Sequence, residues 1–105
     1  MVFKLGPGAL AAALAAAIGL AACATSAPPA VTAGDAARSH TSMAQLEHGR
    51  SLYMARCSVC HLPVAPRAKP AAEWPGHVAE MQTRAHLTPD EASLVKQYLV
   101  TIAAR

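Results

Sequence analysis

The chain is 105 residues long, 53% hydrophobic, and carries a formal net charge of +3. That length allows one domain at most. No basic run is interleaved with aromatics, which argues against nucleic-acid binding. The hydrophobic share is inflated by the alanines before Cys23. Phe3 is the sole phenylalanine and lies among them, so residues 43–105 keep only Tyr53, Trp74 and Tyr98 as aromatics. A core that small supplies no more than about 3–5 kcal/mol by itself and calls for a staple or a large apolar guest.

Residues 1–22 read as a signal peptide. Lys4 supplies a short positive region, Ala9 to Leu20 an apolar stretch, and Ala21 and Ala22 a small-residue end. Leu5 to Ala22 is barely long enough to span a bilayer, which takes about 20 apolar residues. It is also rich in weakly hydrophobic alanine. Leu20-Ala21-Ala22-Cys23 resembles the lipobox of bacterial lipoproteins. The resemblance implies cleavage before Cys23 and lipidation of Cys23, several acyl chains together giving firm anchoring. An ordinary secretory signal cut nearby and an uncleaved anchor are the competing readings. Ala24 rather than Asp follows the cysteine, a pattern that in lipoproteins of two-membrane bacteria goes with the outer membrane. The domain would then face the periplasm.

Thr25 to Thr41 is rich in Ala, Pro, Ser and Thr and shows no apolar period. Residues 23–42 are therefore read as a lipidated cysteine followed by a flexible tether, with His40 solvated.

A folded domain is expected over 43–105. Its chemical signal is Cys57-Ser58-Val59-Cys60-His61, a C-x-x-C-H motif of the kind that attaches c-type haem. Two thiols reach the two vinyl groups on one porphyrin edge, and the next residue turns its imidazole to the iron. A Cys57–Cys60 disulfide in an oxidising compartment is a competing reading. So is a zinc site completed by His77 or His86, although adjacent Cys60 and His61 ligate one ion awkwardly. The preceding Gly49-Arg50-Ser51-Leu52-Tyr53 resembles the first helix of class I cytochromes c, which carries a Gly and an aromatic before its first Cys. In that family a backbone carbonyl of the proline loop after the motif holds the proximal histidine. Pro63 and Pro66 place such a loop here.

Trp74 to Leu87 is expected to be helical, with Pro75 in its first turn. Trp74, Val78, Met81 and Ala85 recur at i, i+4, i+7 and i+11, one stripe facing the core. His77 sits at its edge and His86 at its end. Glu73-Trp74-Pro75-Gly76-His77-Val78-Ala79-Glu80-Met81, with the later Gln97-Tyr98-Leu99, resembles very small monohaem cytochrome c domains. That resemblance implies Met81 as the second iron ligand. His77 is the runner-up, followed by His86, and then by Met43, Met54 or an open site. On the residues alone Met81 is equally a space-filling core methionine.

Thr88-Pro89-Asp90-Glu91 marks a helix start, with Thr88 as N-cap, Pro89 at N1 and Glu91 completing a capping box. Val95, Tyr98, Leu99 and Ile102 follow at helical spacing and resemble the C-terminal helix of class I cytochromes c, which crosses the first helix near its Gly and aromatic, here Gly49 and Tyr53. The expected fold is all-α, about three helices around one covalent haem c. The expected function is one-electron transfer, not catalysis, between redox partner proteins of the envelope, with Cys57 and Cys60 as thioethers and His61 and Met81 on the iron. The alternatives are a haem subunit of an oxidoreductase, a ligand-binding or catalytic haem with a labile sixth site, and a non-haem lipoprotein with a Cys57–Cys60 disulfide.

Overall fold

The computed structural model describes residues 27–58 and 62–105. The signal segment, Cys23, Cys60 and His61 lie outside the described residues. Regular structure among those described is entirely helical, as expected: α1 (Ala33–Ser39), α2 (Met43–Cys57), α3 (Trp74–Arg84) and α4 (Pro89–Ala103), with 3₁₀ turns at Pro66–Ala68 and Ala71–Glu73.

The frame is the crossing of α2 and α4. Ser42 caps α2 reciprocally with Gln45, and Leu46, Gly49, Leu52 and Tyr53 form its buried face. Thr88 caps α4 with Glu91 and Pro89 at the first turn, the start that the sequence signals. Val95, Tyr98, Leu99 and Ile102 are each at most 1% exposed, and burying a side chain of that kind stabilises by about 1.5–3 kcal/mol. The helices meet at Gly49. A Cβ there would stand 2.1 Å from the carbonyl oxygen of Leu94 and 3.0 Å from Tyr98 Cβ. Only glycine permits this approach.

Helix α3 lies against α4 and buries Trp74 and Val78. It stops at Arg84, short of the expected Leu87. His86 adopts a left-handed φ of 53°. The Leu87 N–H donates to Gln82 and the His86 N–H to Thr83, the double bond pattern that closes a helix with a left-handed residue. The Arg56 guanidinium then donates to the His86 carbonyl at 3.0 Å. Leu87, placed beyond that turn, is buried in the core.

The segment before α2 departs most from expectation. Where a tether without regular structure was expected, Thr32 and Asp35 form a capping box that starts α1. Asp35 is 1% exposed. Its carboxylate accepts from the Thr32 N–H, from Arg38 and from Arg105 at the end of the chain. Upstream, Arg50 Nη2 donates to the Pro28 carbonyl at 2.8 Å and the Tyr98 hydroxyl to the Pro29 carbonyl at 2.8 Å. Arg105 Nη2 donates to the Ala30 carbonyl at 2.8 Å. Residues 28–39 are thus a strap bound to α2 and α4. The segment shows no apolar period because, apart from Val31, which packs against the core, it is held mainly by long-range polar bonds.

Candidate functional site

Cys57 is the last residue of α2, so the C-x-x-C-H motif begins as that helix ends. The side chain is half-buried against the core, and that burial pushes the thiol above its ordinary value. Beside it runs a narrow cleft lined by Tyr53, Cys57, Val64, His77, Val78 and Met81, closed below by Trp74, Leu87 and Leu99. The walls are the end of α2, the loop after the motif, and the inner face of α3.

The loop is fixed by two aromatic side chains. Tyr53 donates its hydroxyl to the Val64 carbonyl, and Trp74 Nε1 donates to the Pro66 carbonyl at 2.8 Å. The rings of Tyr53 and Trp74 stand edge to face, 6.3 Å apart. Burial raises the Tyr53 phenol well above its usual range, the nearby Cys57 adding to the effect and the hydrogen bond to Val64 opposing it. The phenol therefore stays protonated and keeps donating.

The cleft brings together Cys57, Met81 and His77. Met81 is half-buried in the last turn of α3; His77, one turn earlier, sets its ring edgewise to Trp74, 5.4 Å between centroids. His86 is exposed at the left-handed turn and does not line this cleft. Met43 and Met54 lie on the exposed side of α2. Cys60 and His61 fall outside the described residues.

The donors and lining suit a flat apolar group attached through sulfur: one thiol, one thioether, one imidazole, and otherwise carbon. The present volume is about 20 Å³, room for a water and far below the roughly 300 Å³ and more of ordinary ligand sites. Seating a porphyrin therefore requires the walls to part. The half-buried His77 and Met81 face gives way at lower cost than buried Trp74 or Leu99.

The profile of the dihaem cytochrome c family matches residues 53–105, from Tyr53 on α2 to the end of α4. The chain belongs to the dihaem cytochrome c family. Membership implies a covalent c-type haem and haem-based electron transfer. The matched segment contains Cys57, the proline loop and α3, the walls of the cleft. No curated protein and no solved structure matches the chain significantly. Although the family is named for two haems, this cytochrome's sequence holds a single C-x-x-C-H motif.

Sequence reading missed the part played by Val64, Leu87 and Leu99 in lining the cleft. Leu99 was assigned to the core, which it also serves. Val64 carries no pattern of its own, because the hydrogen bond from Tyr53 to its carbonyl places it. Leu87 was assigned to the preceding helix and reaches the cleft only through the turn at His86.

Proposed function

We propose that the chain is a one-electron carrier with a single haem, joined through thioethers to Cys57 and Cys60, with His61 on one side of the iron and Met81 on the other. A haem held by these residues would supply the one-electron chemistry, through the ferric and ferrous states of its iron. The residues of the chain do the rest. The cleft walls exclude water, the Tyr53 and Trp74 hydrogen bonds hold the loop beside the motif, and α3 presents a thioether. His/Met ligation raises the potential relative to a bis-histidine site. The observation that carries this reading is the placement of Cys57 and Met81 on one apolar cleft.

The single motif supports one haem on this chain. The signal and lipobox residues support export and anchoring at Cys23, and the alanine after that cysteine favours the outer membrane. His77, on the same cleft, supports a second reading in which an imidazole is the sixth ligand or the sixth position is labile.

Absorption spectra of protein matured with c-haem machinery test both readings. The expected result is a c-type spectrum with the weak Met-to-ferric-iron band, unchanged by carbon monoxide. Met81→Ala should abolish that band, whereas His77→Ala should keep it. A carbon monoxide shift in the wild type would move the assignment to a ligand-binding haem. A colourless product would leave the Cys57–Cys60 disulfide reading in its place.

A further inference from the structure

We propose that the face formed by residues 27–29 and 62–67 rests on the lipid surface, so that the loop following the haem motif is held against the membrane. The inference rests on lipidation of Cys23, proposed above, and adds an orientation to it.

Three observations carry it. A groove of about 450 Å³ runs between residues 27–29 and the loop residues 62–67, and Leu62 in its lining is 89% exposed. Its lining is almost wholly apolar, with Arg67 as its charged member. Pro28, Pro29, Pro63 and Pro66 contribute no backbone N–H, so pressing this face into a lipid headgroup layer strands few donors. Arg67 supplies a cation for lipid phosphates.

The second observation is where the chain leaves the domain. Arg50 and Tyr98 hold the Pro28 and Pro29 carbonyls, and Ala27 itself lines the groove. The exit toward Cys23 is therefore at this face.

The third is reach. Had the segment up to Thr41 been a tether, it would extend up to about 60 Å at roughly 3.5 Å per residue. With the strap docked, only the stretch from Cys23 to Ala27 separates lipid from domain, a span of at most about 14 Å. A domain on so short a leash, anchored beside its exposed apolar groove, turns that groove to the bilayer.

The test uses the acylated holoprotein in vesicles of phosphatidylethanolamine and phosphatidylglycerol, with the photoreactive residue p-benzoylphenylalanine replacing either Leu62 or Lys96. Lys96 lines a different groove and lies about 200° around α4 from Tyr98, which holds the Pro29 carbonyl. After illumination, lipid adducts should be at least tenfold more abundant at position 62. Equal or reversed yields overturn the orientation, and so do crosslinks from position 62 to a second copy of the protein. Mass analysis of the Cys23 peptide is read separately. Lack of acyl mass there removes the anchor and this proposal with it, while an acylated Cys23 without adducts at position 62 refutes the orientation alone.

Discussion

The two sides of α4 are built on different principles. On one side α2 and the strap are closed tightly, glycine against backbone at position 49 and every oxygen of Asp35 engaged. On the other side α3 and the proline loop meet around a cleft whose rim, Cys57, His77 and Met81, is only half-buried. A covalent prosthetic group needs the second kind of surface, and a domain this small can offer it only if the first kind supplies the rigidity. The difference teaches where substitutions should be felt in folding and where in redox chemistry.

The largest expected effect is at Gly49. Gly49→Ala drives a methyl into the Leu94 carbonyl, and backbone cannot step aside as a flexible side chain does. We expect a loss of about 3 kcal/mol or more, read as a drop in the denaturation midpoint of the holoprotein. A neutral result would mean that the α2–α4 crossing is looser than its contacts imply and that the contrast between the two sides is false.

Next comes Asp35. The hydrogen bond from Arg105 first, and those from Thr32, hold its carboxyl well below the ordinary carboxylate range against the opposing effect of burial. A depressed folded value means that the unfolded chain binds the proton first as pH falls. The stabilisation is complete above about pH 5 and is lost as pH drops through the ordinary value near 4 and below. Asp35→Asn should cost about 2–3 kcal/mol at neutral pH and flatten the stability–pH profile of the wild type below pH 5, with the absorption spectrum unchanged. A spectral change would couple the strap to the cleft and erase the distinction between the two sides.

How much of this was legible beforehand follows the same divide. The α4 stripe, its capping box and the helical character of α3 and α4 could be read because apolar period and caps are local patterns, while the crossing at Gly49 and Tyr53 came from the resemblance to class I cytochromes c. The C-x-x-C-H motif is likewise local, whereas the stripe only placed Met81 toward the core and its reading as a ligand came from the resemblance to very small monohaem cytochrome c domains. The strap was not read, yet Thr32-x-x-Asp35 and Ser42-x-x-Gln45 are capping boxes in plain sight. What hid the strap is that its partners, Arg50 and Tyr98 for the prolines and Arg105 for Asp35, lie far along the chain. Long-range polar pairing leaves no period. The end of α3 was overrun because the sequence has histidine where a glycine would have announced the left-handed turn.

The smallest effect sharpens the comparison most, because it sits on the boundary between the two sides. Trp74 is fully buried in the core, yet its one polar atom reaches across to the Pro66 carbonyl. Trp74→Phe keeps an aromatic ring against Tyr53 and removes that donor. The buried carbonyl then loses its partner, which costs about 1–2 kcal/mol. If rigidity on the α4 side is what holds the cleft wall in place, the loss should appear mainly as faster amide exchange at Val64, Ala65 and Arg67, with little change at Val95 or Leu99. Uniformly faster exchange would instead mean that the loop and core open as one unit. In that case the cleft is not a separately yielding wall, and admitting haem would require loosening the whole fold.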